Sequence, residues 1–398
     1  MVTPDTPDLR GPLPCQRALF NIPREVAYLN CGYMSPLLNE VVETGQRAVA
    51  RKAHPWTIAT TDFFADIADA RTLFAELLGV EGNDIALIPS VSYGMAIACA
   101  NLPLRAGQRV LMLAEEFPSV IYPWQERARE VGAEAVLISR PPDDDWTGAV
   151  LAAIDDRTAV AAIPVCHWTD GGLLNVEKIG MRLREVGAAL VIDATQSLGA
   201  LPFDANRVQP DVLVAAAYKW LLGPYSIGFA YVAPRWQQGR PVEYNWIARE
   251  GSEDFTRLTS YREAFQPGAR RYDMGEPSNF ALMPMAVAAL RRIHAWGVPR
   301  ISMTLAGMTG EIAGRAAGLG LGAVPAPLRA PHYLGLRFPA GMPAGLGAQL
   351  ASQHVYVSVR GSALRVTPHL YNDGEDIDRL IRALSAALVT PATQKADP

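Results

Sequence analysis

The chain has 398 residues, 49% hydrophobic and 19% charged, which is enough apolar length for a large core in two or more domains and excludes overall disorder. A formal net charge of -4 with no long Lys/Arg cluster gives a nucleic-acid backbone or an anionic membrane nothing to hold, so a small soluble partner fits better. Four scattered cysteines, Cys15, Cys31, Cys99 and Cys166, lack the paired spacing of a zinc site or a disulfide framework and point to a reducing cytoplasm.

The opening MVTPDTPDLRGPLPCQ carries acids and prolines where an export signal needs a basic start and an apolar run. From about residue 84 to 232, short apolar runs alternate with longer amphipathic ones: DIALIPS, RVLMLAEE, EAVLISR, TAVAAIPVCHW, AALVIDAT, DVLVAAAY and IGFAYVA. Buried strands alternating with helices predict an α/β sheet covered on both faces, with its ligand at the carboxyl ends of the strands. Between about 234 and 276 the chain turns polar and irregular. A helical segment, FALMPMAVAALRRIHAWG, then opens a smaller region that ends in the strand-like VYVSVR and LRVTP and the helix EDIDRLIRALSAAL. GLGLGAV near residue 320 reads as a turn, because no strong strand precedes it and no acid follows at dinucleotide-site spacing. FPAGMPAGLGAQLASQHVYVSV, the longest uncharged stretch, is broken by Gly, Pro, Gln, Ser and His and makes a poor bilayer span.

The chemistry-bearing residues lie at the exits of these strands. In SVSYGMAIACANL, small and hydroxyl residues (Ser90, Val91, Ser92, Gly94) precede a helix whose free N–H groups and dipole suit a phosphate, although a plain serine cap would read the same way. EEFPSVIYPW offers Phe117, an aromatic face for a flat ring or for the core. In CHWTDGG either His167 or Trp168 could face a ligand, and spacing does not choose between them. Asp193 ends the run ALVID, three residues before Gln196; it could serve a ring nitrogen or cap the next segment. Lys219 sits in VLVAAAYKWLLGPYSIGFAYV between an apolar run and a Gly/Pro turn. Burial there would favour the neutral amine, which condenses with aldehydes; a lysine snorkelling from a strand end is the alternative.

This order (phosphate turn, aromatic, Trp/His, Asp, Lys) resembles the fold type I pyridoxal phosphate (PLP) enzymes. Within them it is similar to the class V aminotransferase family, with its cysteine desulfurases, kynureninases and isopenicillin N epimerases, from YLNCGYMSP near 28 to LRVTPHLYNDGEDID near 378. The resemblance implies a large domain over 31–276 with a mostly parallel seven-stranded sheet, a smaller α+β domain over 277–398, and a segment 1–30 packing on the latter. It implies PLP as cofactor, Lys219 as the Schiff-base lysine, Asp193 as partner of the ring nitrogen, and Gln196 bonded to the ring hydroxyl or imine. Val91 and Ser92 would contact the phosphate, Phe117 and Trp168 the ring, Tyr218 the phosphate, and Arg365, in ALRVTPHLYND, the substrate carboxylate. A small amino-acid substrate and a cytoplasmic homodimer with its sites at the interface complete the expectation, Trp246 and Arg271 being candidates to reach across.

Two departures stand out. Where desulfurases of this layout carry their sulfur-accepting cysteine, the chain reads VRGSALRV, with Ser362 and no thiolate nucleophile. In RRYDMGEPSNF, Glu276 replaces a threonine that contacts phosphate in the family, so its side chain is expected to point elsewhere. The shared step is loss of the Cα proton with Lys219 as acid/base. Transamination of a small L-amino acid is the leading expectation; Cβ–S or Cβ–C lysis, or epimerisation, are the alternatives, and a non-catalytic cofactor-binding regulator is disfavoured.

Overall fold

The computed structural model describes residues 11–389. In chain order the elements are β1 (Ala27–Tyr28), α1 (Asn39–Lys52), α2 (Asp62–Leu78), β2 (Ile85–Ile88), α3 (Val91–Asn101), β3 (Arg109–Leu113), α4 (Pro118–Val131), β4 (Glu134–Ile138), α5 (Trp146–Ala153), β5 (Thr158–Pro164), α6 (Val176–Glu185), β6 (Ala189–Asp193), α7 (Ala205–Val208), β7 (Val212–Ala216) and β8 (Gly228–Val232). They continue with α8 (Leu282–Trp296), α9 (Val298–Ala317), β9 (Gly322–Ala323), β10 (Leu334–Arg337), α10 (Leu346–Ala351), β11 (Val355–Tyr356), β12 (Ser358–Arg360), β13 (Ala363–Val366) and α11 (Gly374–Val389).

The seven runs expected between 84 and 232 are the seven strands of the central sheet, in the order β2-β8-β7-β6-β5-β3-β4. Neighbours from β7 to β4 pair in parallel, whereas β8 runs antiparallel to both β7 and β2. Strands β2, β5, β6, β7 and β8 are buried at every position because helices cover both faces, which is why they read as unbroken Val/Ile/Ala/Leu runs rather than alternating ones. Parallel strands joined through helices all end at one edge, so the residues just past them collect there.

Helix α3 sits closer to the sheet than its place in the chain implies. It follows β2 at one end of the sheet, yet Gly94 lies so near β7 that an added Cβ would stand 2.4 Å from a methyl of Val214. That approach brings the helix start over the exits of β6 and β7. Ser90, in extended conformation, caps it by accepting the Tyr93 N–H at 3.3 Å.

A four-stranded antiparallel sheet, β12-β13-β10-β9, forms the C-terminal layer with α11 and the later turns of α9. The early chain joins it: β1 pairs in parallel with β11, and Ala27 and Leu29 enter the same apolar cluster as Leu336, Leu364 and Leu384. Helix α8, beyond residue 277, packs differently. Its Met283, Val287, Leu290 and Ile293 join the cluster of Phe74 and Leu78 from α2, because its apolar stripe matches the helical layer of the large sheet.

Buried ions also tie distant segments. Asp273 accepts the Leu87 N–H at 2.8 Å and pairs with Arg71, which also donates to the Ile85 carbonyl; both side chains are almost fully buried. Replacing Arg71 by Met would leave a buried carboxyl without its cation. The expected loss is about 3–5 kcal/mol of stability, read from urea unfolding midpoints.

Candidate functional site

At the carboxyl edge of the sheet, Val91, Glu116, Phe117, Trp168, Asp193, Gln196, Tyr218 and Lys219 border one narrow cleft. It opens, past Phe117, Trp168, Tyr218 and Lys219, into a cavity of about 240 Å³ that Arg360 and Arg365 also line. Of the residues assigned to cofactor or substrate in the sequence, Ser92 alone stays outside both linings. It is exposed one position into α3, its Oγ 3.0 Å from that of Ser90.

Lys219 is 6% exposed, three residues past the end of β7. Burial lowers its pKa to about 8; the Asp193 charge raises it in part, and Arg365 and Arg360 lower it again. Its Nζ lies 5.3 Å from the Phe117 ring centre and 5.5 Å from that of Tyr218. The turn behind it is held by backbone few residues adopt willingly: Leu222 has φ 54° and Ser226 φ 65°. Asp193, last residue of β6, accepts the Thr195 N–H on Oδ1 at 2.9 Å, and burial raises its pKa while Thr195 and Lys219 pull it down.

Gln196 is more engaged than its spacing indicates. Its Nε2 donates to the Gly32 carbonyl at 3.0 Å and its Oε1 accepts from Trp220 Nε1 at 3.1 Å, leaving one N–H and one lone pair free for a ligand. Arg365, on β13 and 1% exposed, donates from Nη1 to the Trp168 carbonyl at 3.3 Å.

The His167/Trp168 ambiguity resolves through a tight loop. His167 N–H donates to Gly172 O at 2.8 Å, and its ring turns inward, stacked on Trp146 at 5.1 Å with Nε2 3.1 Å from Ala114 O. Burial lowers its pKa to about 4, so it is a neutral core histidine. Trp168 takes the cleft side, edge-on to Phe117 at 5.4 Å, with Nε1 donating to Glu115 O at 2.6 Å.

One wall residue escaped notice in the sequence. Glu116 is 7% exposed; its Oε1 accepts the Phe117 N–H at 2.6 Å, and its Oε2 is buried without a partner among the described residues. Burial pushes its pKa up to about 8, with Asp193 adding to the rise, so it carries its proton at neutral pH. The doublet EEF at the exit of β3 was the available signal, since one of two adjacent acids there can turn toward the cleft. Glu115 adopts φ 59°, which turns it out toward Arg140 and its neighbour in.

The residues expected to reach across to a second subunit lie away from this chain's own cleft. Trp246 packs on Phe63 and Phe255 beside a separate cavity of about 390 Å³, and Arg271 donates to Gly239 O at 3.1 Å. Glu276 is exposed, and Ser362 is exposed in the turn between β12 and β13.

The sequence model of the family described as "Aminotransferase class-V" matches residues 37–380. The chain belongs to the class-V aminotransferase family. It is similar to an uncharacterized aminotransferase, YcbU, of Bacillus subtilis, at 27% identity with 80% of this chain and 83% of the relative covered. It is also similar to isopenicillin N epimerase of Streptomyces clavuligerus, at 26% identity over 91% and 94%. The apo cysteine desulfurase from Thermococcus onnurineus NA1 shares its fold, with TM-score 0.82, 18% identity, and 95% and 99% of the two chains covered. The architecture is therefore that of fold type I, and this class-V family member is a PLP-dependent enzyme of the aminotransferase or lyase kind.

The residues present fit that cofactor. The start of α3 leaves the Val91 and Ser92 N–H groups for a phosphate; Asp193, raised by burial, has no ion pair among the described residues, a place that a protonated ring nitrogen would take; and Lys219 offers an amine already part-way to neutral. Uptake of PLP by the apoprotein should therefore accelerate as pH rises, with a midpoint near 8 as Lys219 loses its proton, followed as growth of the visible absorbance band. Asp193→Asn, which removes the charge that raises the lysine pKa, should move that midpoint below 8.

Proposed function

We propose that this protein is an aminotransferase acting on a small L-amino acid, working as a homodimer in the cytoplasm. The observation that carries the reading is the buried Lys219 in one cleft with Asp193 and next to Arg365. When bound, PLP supplies an aldehyde that condenses with a primary amine and a ring that draws electrons away from the carbon bearing it.

The chain's own residues do the rest. The Val91 and Ser92 N–H groups and Tyr218 would hold the phosphate, Asp193 the ring nitrogen and Gln196 the ring oxygen, with Phe117 and Trp168 against the ring. Arg365 would take the substrate carboxylate with its two-pronged fork. Lys219, poised near pH 8, can accept the Cα proton and give it back, both halves of one acid–base cycle. The walls keep water away, since Lys219, Asp193 and Gln196 are each more than nine-tenths buried.

Transamination needs no second nucleophile, and among the described residues no ionised thiol lines the cleft. Ser362 occupies the hairpin turn, while Cys31 and Cys166 are buried and burial pushes both thiols up, which keeps them protonated. The four cysteines are free, consistent with a reducing compartment. Tyr33 and Tyr225, 52% and 61% exposed at the cavity mouth, suit an interface with a second subunit.

A Cβ–S or Cβ–C lyase is the second reading, favoured by Glu116, a protonated carboxyl on the same wall that could donate to a departing side-chain group. Incubating the holoprotein with L-amino acids and an acceptor keto acid separates the two. New amino acid formed only with acceptor is expected; pyruvate, alanine or sulfide released without acceptor would select the lyase.

Two variants probe the assigned roles. Lys219→Ala should cut turnover by roughly 10²–10⁴-fold with an unchanged circular dichroism spectrum. Arg365→Lys, which keeps charge but loses the fork, should raise KM by about 10–100-fold with a smaller change in kcat.

A further inference from the structure

We infer that the substrate carries a second acidic group and that Arg360 receives it; the inference rests on Arg365 being the grip for the first. Arg360 ends β12 and Arg365 lies on β13, across a turn formed by Gly361 (φ 54°) and Ser362. Arg360 pairs with Ala363, and Ser358 with Arg365. Residues directly opposite in an antiparallel pair share a face, and so do residues two apart on one strand, so both arginines leave the hairpin on the same side. They are diagonal neighbours with backbones about 7–8 Å apart, within mutual reach of two long side chains. Both line the 240 Å³ cavity that holds Lys219.

Charge makes the pair informative. Neither guanidinium has a carboxylate partner among the described residues, although the neighbouring arginines do. Arg140 pairs with Asp170 at 2.7 Å and Glu115 at 3.0 Å, and Arg337 with Asp144 at 2.7 Å and Asp170 at 3.0 Å. Arg360 spends Nη1 on its own preceding carbonyl, at 2.8 Å, and lies 5.8 Å from the Trp168 ring centre. Arg365 keeps a buried Nε without a partner. The Arg365 charge adds to burial in disfavouring the charged form of Arg360, so the pair is repulsive until anions arrive.

One carboxylate neutralises one guanidinium. An L-amino acid with a carboxylate or sulfinate on a short side chain neutralises both, at a spacing a diagonal pair sets. The cavity accommodates this, because Arg360 also borders an adjoining space of about 510 Å³ beyond Trp168. The substrate class is thus a short amino diacid.

Titrating the holoprotein with L-aspartate, L-glutamate, L-cysteine sulfinate and L-alanine, with the visible absorbance of the bound cofactor as readout, tests this. At least one diacid should half-saturate at a concentration about tenfold or more below that of L-alanine, the size of one charged hydrogen-bonded contact. Arg360→Gln should bring the diacid-to-alanine ratio to within about threefold, and Arg360→Lys should restore part of it. Equal response to all four, or a ratio that survives Arg360→Gln, would overturn the second-acid assignment alone. Silence toward every amino acid would overturn the amino-acid reading, and this inference with it.

Discussion

The site is organised around an amine kept out of water. Lys219 leaves β7 into a pocket where burial works against its charge, Asp193 works for it, and Arg365 and Arg360 work against it again. Lys219 and Asp193 meet because parallel strands deliver their exits to one edge, and the two arginines come from the antiparallel hairpin β12–β13 of the C-terminal layer. β7, β6, β5 and β3 are consecutive neighbours in the sheet, so Lys219, Asp193, Trp168 and Glu116 become neighbours in turn. The Gly94–Val214 approach adds the start of α3 to that row although β2 lies beyond β8.

The other half of the site comes from the C-terminal layer. Arg365 and Tyr333 both donate to the Trp168 carbonyl, so the loop that presents Trp168 is gripped from the far side. Arg337 reaches Asp144 and Asp170, and the Gly32 N–H donates to Thr367 Oγ1 at 2.9 Å while its carbonyl accepts from Gln196. The division is chemical as well as spatial. The large sheet supplies the lysine, the acids and the aromatic walls of the cleft, and the hairpin β12–β13 brings two arginines to the adjoining cavity.

Relatives at 26–27% identity include an uncharacterized aminotransferase and an isopenicillin N epimerase; transamination and epimerisation share proton loss at Cα and differ in where a proton returns. Such branches are separated by a few side chains around the cavity. Around this chain's cavity stand a buried Glu116 and two arginines, Arg360 and Arg365, with Ser362 exposed in the hairpin turn nearby.

The large-sheet strands and the order of site residues were legible because both are local. An apolar run of four to seven residues bounded by turn residues marks a buried strand, and a residue just past it is at the exit whatever the rest of the chain does. Trp168 over His167 was not legible, because after β5 the chain enters a loop whose hydrogen bonds, not strand alternation, set the side-chain directions. Glu116 stayed hidden because the left-handed backbone of Glu115 decides which acid turns inward. The packing of α8 on α2, and the pairing that sets Arg360 beside Arg365, depend on contacts across long sequence separations. The sequence alone therefore determined the α/β fold and which residues stand at the strand exits, since those arise from short-range pattern, and the order of those residues carried the family resemblance that implies the cofactor. Tertiary structure alone decided which side chains face the cleft, which are already spent on other partners, and which charges are left for a substrate to neutralise, since those depend on register and loop torsions that no short stretch encodes.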